Sequence, residues 1–118
     1  MPTRSLSSSV LKWPDHETVI NALKIWTLQI LQERHDVKRI GFFGSYARGD
    51  WGVGSDLDLI IVVEKSTDPF EMRAAKWDIS SLPVPADLLV YTQEEWENMD
   101  RETRFMKMLE SETFWVHL

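Results

Sequence analysis

All five glycines of this chain lie between Gly41 and Gly54, and this stretch constrains the fold more than any other. Glycine is used where the backbone must take a positive φ or approach another group closely. Residues 37–43, which lead into the stretch, are rich in strand-forming residues, and residues 57–63, which follow it, are apolar apart from Asp58. The pattern predicts two short buried strands that are joined by a glycine-rich turn and loop.

Hydrophobic spacing and capping signals predict the other elements. Apolar residues recur at the i, i+3, i+4 and i+7 spacing of an amphipathic helix after Asp15, which is suited to cap it. Thr92 and Glu95 form a capping-box pattern at the start of a later helix. The predicted elements are a helix at 16–34, a strand at 37–43, a helix at 46–48 capped by Ser45, a strand at 57–63, a helix at 69–80, a strand at 87–91, a helix after Thr92, a helix at 101–110 and a strand at 114–116.

This alternation of helices and strands predicts an α+β fold, in which helices flank a small mixed β-sheet. A chain of 118 residues can bury one core, so we expect a single domain. The domain is expected at 15–118, after a flexible, serine-rich N-terminal segment at 1–14.

Charge and composition exclude several classes of function. The 13 basic and 19 acidic residues give a net charge of −6, which disfavours a broad nucleic-acid-binding surface. The chain has no cysteine, so it has neither disulfides nor a thiolate metal site. It shows no apolar run of bilayer length and no signal-peptide pattern. We therefore expect a cytoplasmic protein without membrane contact.

Three aspartates at predicted strand starts indicate a metal site. Asp56 and Asp58 lie two residues apart at the start of the second strand, so their carboxylates share a face. Two acids so placed repel each other unless a cation lies between them. Asp87 begins the third strand, and a neighbouring strand would bring it within reach. An all-oxygen set of this kind suits Mg²⁺ or Mn²⁺, and two such ions can activate an attacking oxygen and stabilise a leaving pyrophosphate.

Gly44 and Ser45 join the first strand to a short helix. Backbone N–H groups at such a junction favour a phosphate, and glycine lets the phosphate approach closely. The Ser45 hydroxyl can add one hydrogen bond. A phosphate cradle beside a carboxylate cluster is suited to phosphoryl or nucleotidyl transfer, because that chemistry depends mainly on positioning and charge stabilisation.

The segments Gly44-Ser45-Tyr46-Ala47-Arg48-Gly49 and Ser55-Asp56-Leu57-Asp58-Leu59 together resemble a known signature, GS-x-ARG…SD-x-DL. That signature belongs to the polymerase-β-type nucleotidyltransferase superfamily. The short length and the intact ARG segment look most like its minimal nucleotidyltransferases (MNT), which are commonly encoded beside a HEPN-domain protein and act as the antitoxin of that pair. The resemblance covers about residues 16–117.

The resemblance also implies roles for individual residues. Asp56, Asp58 and Asp87 correspond to the catalytic acids that bind the metal ions, and Asp87 is expected to act as general base as well. Gly44 and Ser45 correspond to the contact with the nucleotide phosphates. Each acid, taken alone, could instead be an ordinary strand-start residue.

Other residues near the signature have two interpretations each. Arg48 and Ser55 are candidates for nucleotide binding, but Arg48 could instead pair with Asp50, and Ser55 could brace the loop. Trp51 could stack on a base or a partner, or it could anchor the loop. The three histidines have no metal-ligand spacing and are expected to be surface or capping residues.

The function that the resemblance implies is an Mg²⁺-dependent nucleotidyltransferase. It would transfer AMP from ATP to a hydroxyl on a partner protein, a HEPN toxin, and so neutralise that toxin. Larger relatives carry a second domain that holds the acceptor, so a homo- or hetero-oligomer is expected here. Two alternatives stay open: transfer to a small molecule such as an aminoglycoside, and a non-catalytic antitoxin that acts by occlusion.

Overall fold

The computed structural model describes residues 13–118. The elements in chain order are α1 (His16–Glu33), β1 (Val37–Phe43), α2 (Ser45–Arg48), β2 (Leu57–Val63), α3 (Phe70–Arg73), a 3₁₀ turn (Ala74–Lys76), β3 (Ala86–Thr92), α4 (Gln93–Asn98), α5 (Arg104–Glu112) and β4 (Phe114–His117). The predicted flexible segment at 1–14 lies outside the described residues, apart from its last two. No helix in the described part combines the length and the apolar character needed to cross a bilayer.

The four strands form one mixed sheet in the order β3-β2-β1-β4. β1 is antiparallel to both β2 and β4, whereas β2 and β3 are parallel. The predicted α+β class, with a small mixed sheet flanked by helices, is therefore confirmed. This topology places the end of β1 beside the starts of β2 and β3, so that residues from three strands meet at one corner of the sheet.

β2 is buried on both faces and separates two apolar clusters. Leu59 and Ile61 pack in the cluster that includes α1, whereas Ile60 and Val62 pack in the cluster that includes α4 and α5. Side chains alternate between the two faces along a strand. Asp58 therefore lies on the face of the sheet that α4 and α5 cover.

α1 agrees with its predicted bounds to within one residue. Its cap is Asp15, whose carboxylate accepts a hydrogen bond from the Thr18 backbone N–H at 2.8 Å. Trp26 donates from Nε1 to the Asp78 backbone oxygen at 2.8 Å, which ties the loop after the 3₁₀ turn to the helix. The buried side chains of α1 are Val19, Leu23, Trp26, Thr27 and Ile30.

The helix predicted at 69–80 is much shorter in the structure. The α-helical part is Phe70–Arg73, and only a 3₁₀ turn follows it. Trp77 is extended, with φ −99° and ψ 131°, and its ring lies 6.4 Å from that of Trp26. The helix ends where this tryptophan packs under α1. Helix propensity is a local property, so it could not predict this tertiary contact.

The helix predicted at 101–110 begins later than expected. Thr103 caps it, accepting a hydrogen bond from the Met106 backbone N–H at 3.2 Å, so α5 runs over Arg104–Glu112. The residues before it form a turn in which the Asp100 carboxylate accepts from the Glu102 backbone N–H at 2.9 Å. The capping box of Thr92 and Glu95 is confirmed.

Candidate active site

The candidate site lies at the corner where β1 ends and β2 and β3 begin. Phe43, Asp58 and Asp87 are register partners across these three strands. Residues that face one another on neighbouring strands lie on the same face of a sheet. The sheet pairing therefore brings Asp58 and Asp87 side by side, and Asp56 precedes β2 at the same corner.

Asp58 experiences the charges of the two neighbouring aspartates. Partial burial raises the pKa of Asp58, and the charges of Asp87 and Asp56 raise it further. Arg48 opposes this increase. Asp58 is half-buried, whereas Asp56 and Asp87 are exposed. The corner therefore holds excess negative charge, which a divalent cation would relieve.

The donor chemistry of this corner fits a hard metal ion, since carboxylate oxygens are the ligands that Mg²⁺ prefers. Among residues 13–118, however, no three acidic, histidine or cysteine side chains already form a group arranged to hold a metal ion. The role of Asp56, Asp58 and Asp87 as metal ligands stays a prediction.

Gly44 lies against Asp58, and the backbone at this position requires glycine. Its φ of 75° and ψ of −151° are disfavoured for other residues. A Cβ at Gly44 would also overlap Oδ2 of Asp58. From the sequence, we predicted glycine at this position because it would let a phosphate approach closely. In the structure, the Asp58 carboxylate occupies the space where a side chain would lie.

We expect Gly44→Ala to lower the free energy of unfolding by about 1–3 kcal/mol, from backbone strain and overlap with Asp58. Gly52→Ala is the matched control, because a Cβ there meets nothing within 4 Å and Gly52 has no positive φ. Its effect should stay within about 0.5 kcal/mol. Urea unfolding measures both, and equal costs for the two variants would contradict the role given to Gly44.

Ser45 was predicted to cap a helix at 46–48, and this was wrong. α2 begins at Ser45 itself, with Gly44 in the N-cap position and no side-chain capping bond. The backbone turn that Gly44 permits starts the helix one residue early. The first N–H groups of a helix have no acceptor within the helix, which leaves donors at this turn for an anion. The predicted contact of Gly44 and Ser45 with phosphate stays a prediction.

Arg48 forms the ion pair that the sequence offered as an alternative. Its Nε lies 3.1 Å from Oδ2 of Asp50, and this hydrogen bond raises the pKa of Arg48. Its Nη1 lies 3.6 Å from Oε2 of Glu112, at the end of α5. That oxygen is shielded from solvent and accepts no hydrogen bond within the described part of the chain. Sequence reasoning missed Glu112, because no local pattern links the two positions.

Ser55 braces the glycine loop. Its Oγ accepts a hydrogen bond from the Gly52 N–H at 2.9 Å, and its own N–H donates to the Gly52 oxygen at 3.0 Å. The ring of Trp51 stacks on Tyr46, with 5.6 Å between centroids and 7° between planes. Trp51 is therefore a loop anchor, and the nucleotide contact expected of Ser55 stays a prediction.

Tyr46 connects the loop to the start of α1. Its side chain is buried, and its hydroxyl accepts from Nε1 of Trp13 at 3.1 Å. Nε2 of His16 lies 2.8 Å from the Tyr46 backbone oxygen, and it donates because a carbonyl can only accept. His16 is half-buried, so this histidine has a tertiary role that the sequence did not indicate.

An open pocket of about 520 Å³ adjoins Asp58 and Asp87. Its aromatic wall contains Phe43 and Phe105, whose rings meet edge to face at 6.5 Å. The packing of α5 on the sheet places Phe105 here, and no local sequence pattern indicates this position. The other lining residues are Ala74, Ile79, Ala86, Leu88 and Leu89.

Comparison with known proteins agrees with this fold. A family model described as a nucleotidyltransferase domain matches residues 24–111. A structure from Sulfolobus solfataricus assigned as a nucleotidyltransferase has a TM-score of 0.59 at 17% identity, over 85% of this chain and 80% of that one. No curated protein matches the chain in sequence.

Two toxin–antitoxin structures also share the fold. One, solved with AMP-PNP, has a TM-score of 0.56 at 20% identity, over 81% of this chain and 72% of that one. The other, a mutant of the toxin–antitoxin MntA-HpeT, has a TM-score of 0.52 at 14% identity, over 87% of this chain and 73% of that one. At these identities the likeness concerns the fold alone.

Proposed function

The chain belongs to the nucleotidyltransferase domain family, which confirms the resemblance seen in its sequence, and we propose that it transfers AMP from ATP to a hydroxyl on a partner protein. The observation that carries this proposal is the register pairing of Asp58 with Asp87, with the Asp58 carboxylate lying against Gly44. This contact joins the predicted phosphate-binding turn to the acidic corner. Nucleotidyl transfer needs both parts in one place.

The proposed reaction is a displacement at the α-phosphorus of ATP. The acceptor oxygen forms a bond to this phosphorus, and the bond from the phosphorus to the oxygen between the α- and β-phosphates breaks. Pyrophosphate leaves with the electron pair of that bond. The hydroxyl proton passes to the Asp87 carboxylate and then to solvent, so the products are the AMP ester, pyrophosphate and a proton.

Asp56, Asp58 and Asp87 would hold two Mg²⁺ ions at this corner. When bound, the metal neutralises phosphate charge and lowers the barrier to departure of pyrophosphate. The backbone of Gly44 and Ser45 would orient the phosphates. Arg48 would keep α2 in place through its ion pairs with Asp50 and Glu112.

The proposed acceptor is a toxin of the HEPN class, which AMP transfer would neutralise. Support comes from the sequence signature, which resembles that of minimal nucleotidyltransferases. The two toxin–antitoxin structures of similar fold, one of them with AMP-PNP, add to this support. The chain would then work as an antitoxin in a complex with its partner.

The test is mass spectrometry of the protein encoded beside this chain, after incubation with ATP, Mg²⁺ and this chain. We expect one or more added AMP groups on a hydroxyl side chain, together with loss of toxicity. Neutralisation without any adduct, and undiminished in Asp56→Ala/Asp58→Ala, would overturn the proposal in favour of occlusion. Transfer to an aminoglycoside instead would identify a small-molecule acceptor.

We expect Asp87→Asn to reduce the transfer rate by roughly 10²–10⁴-fold, because the amide neither accepts the hydroxyl proton nor carries charge for a metal. Asp87 is exposed, so the variant should fold normally. Single-turnover transfer measures the rate, and thermal unfolding checks the fold. Full activity in Asp87→Asn would contradict the assignment of this residue as general base.

A further inference from the structure

β3 is the edge strand that carries Asp87, and we propose that its open edge binds an extended segment of the acceptor polypeptide. The segment adds to the sheet as a further strand and places a hydroxyl side chain opposite Asp87. This inference rests on the proposed nucleotidyl transfer, and it adds how the acceptor is held.

Two hydrogen bonds establish which backbone groups of β3 face the open edge. The Leu57 N–H donates to the Pro85 oxygen at 2.8 Å, so the backbone oxygen of Pro85 points toward β2. The backbone groups of Asp87, two residues later, point toward β2 as well. Backbone groups alternate between the two edges of a strand. The open edge of β3 therefore carries the backbone N–H and C=O groups of Ala86, Leu88 and Val90. The Val90 oxygen agrees with this, since it accepts from Nη1 of Arg73 at 3.1 Å.

Arg73 covers the edge at Val90 and leaves the part near Asp87 open. Within residues 13–118, β2 is the one strand that pairs with β3. Hydrogen bonds outside the helices and strands of that range involve neither Ala86 nor Leu88. The N–H and C=O groups of these two residues can accept an extended segment by strand addition.

The pocket of about 520 Å³ lies along this open part. Four consecutive residues of β3, at positions 86–89, line it. Consecutive side chains point to opposite faces, so a pocket lined by all four lies at the edge of the strand. Ala74 and Ile79 line it as well. The edge therefore has free backbone groups and adjoining space.

The pairing sets which residue of the segment meets the carboxylates. Residues opposite each other on neighbouring strands share a face, with Cβ atoms about 4.5–5.5 Å apart. The residue opposite Asp87 thus projects onto the face that carries Asp58 and Asp87. A serine, threonine or tyrosine at this position brings its hydroxyl to the acidic corner.

Charge favours basic residues around that hydroxyl. The chain carries a net charge of −6, and three aspartates lie at this corner. Arg48, the cation that acts on Asp58, is paired with Asp50 and Glu112. Lysine or arginine beside the acceptor hydroxyl would complement the corner and speed association.

The test uses short synthetic peptides with a central serine, threonine or tyrosine and flanking basic residues, and the isotope-labelled full chain. We expect the peptides to slow amide hydrogen exchange at Ala86 and Leu88. Exchange at Leu89 should not change, because its backbone N–H points toward β2. Methylation of single peptide nitrogens should weaken binding about tenfold at alternate positions only. This pattern distinguishes strand addition from contact through side chains.

A pair of variants tests the same edge from the side of the protein. Leu88→Pro removes an outward N–H that β2 does not use, and proline is tolerated on edge strands in that orientation. We expect Leu88→Pro to bind the peptides about tenfold more weakly than Leu88→Ala, because both variants lose the leucine side chain but only the alanine variant keeps the N–H. If Leu88→Pro fails to fold, the methylated peptides still test whether the segment binds through backbone hydrogen bonds.

Absence of peptide binding, or binding without protection of Ala86 and Leu88, would overturn the inference. If peptides bind in the expected way but receive no AMP, edge binding stands and the proposed transfer fails. If AMP is transferred to a protein while Ala86 and Leu88 stay unprotected, the transfer stands and edge binding fails.

Discussion

Asp58→Asn is expected to reduce nucleotidyl transfer by at least about 10³-fold while leaving the chain as stable as the wild type or more so. Asp58 lies at the centre of the acidic corner, between Asp87 on β3 and Gly44 at the start of α2. Asparagine keeps the shape of the side chain but removes its charge. The variant therefore loses the central carboxylate of the proposed metal site without leaving a cavity.

The gain in stability has an electrostatic cause. Partial burial and the charges of Asp87 and Asp56 disfavour the ionised carboxylate, which is why the pKa of Asp58 is raised. Removing that charge should add roughly 0.5–1 kcal/mol to the free energy of unfolding at neutral pH with a chelator present. A residue placed for stability alone would lose stability on substitution, so the two readouts together indicate a functional acid.

Glu110→Gln is the matched control for this variant. It makes the same change of charge and shape on an exposed position of α5. We expect wild-type transfer and a change in unfolding free energy within about 0.5 kcal/mol. If Asp58→Asn transferred AMP as well as Glu110→Gln does, the acidic corner would not be the catalytic site.

Arg73→Met is expected to give the largest loss of stability, about 2–4 kcal/mol. The Arg73 guanidinium is buried and forms a two-point ion pair with Glu95, at 2.6 and 3.1 Å. It also donates to the backbone oxygens of Asp68 and Val90. One side chain thus connects α3, β3 and the start of α4. Methionine fills most of the space and makes none of these bonds.

Arg73→Lys is the informative comparison, because it keeps the charge but lacks the planar fork that makes two parallel bonds. We expect it to recover part of the loss, and urea unfolding measures both variants. Equal stability of Arg73→Met and the wild type would show that packing alone holds α3 against β3.

The same ion pair makes stability depend on pH. Arg73 lowers the pKa of Glu95 from 4.5 to about 2, so its contribution is complete above about pH 4.5 and is lost as the pH falls toward 2. The Glu95 side chain is 42% exposed, so solvent screens part of the attraction. Between pH 4.5 and 2, we expect the free energy of unfolding to fall by roughly 1–2 kcal/mol more in the wild type than in Glu95→Gln. If the free energy of unfolding fell equally in both proteins, the ion pair of Arg73 and Glu95 would not be the cause of the pH dependence.

Much of the fold could be predicted because the decisive signals are local. β1 and β2 have their predicted bounds, since each is rich in strand-forming residues and is bounded by glycine or charged residues. The capping box of Thr92 and Glu95 identified the start of α4. For the site, the pairing of Asp58 with Asp87 required only that the second and third strands be neighbours.

The remaining features depend on contacts between distant parts of the chain. The short α3 reflects burial of Trp77 against Trp26, which no helix propensity encodes. The partner of Arg73 is Glu95, a residue that the sequence used only as a cap. The space beside Gly44 is filled by Asp58, which required knowing how β2 lies beside the turn. Packing decided each of these outcomes.

We propose that this corner transfers the AMP portion of ATP and not a phosphoryl group. The most direct measurement uses ATP labelled at either the α- or the γ-phosphorus, with Mg²⁺ and the protein encoded beside this chain. We expect α-label to become covalently attached to that protein and γ-label to appear in pyrophosphate. Covalent γ-label on the protein, or no label from either position, would contradict it.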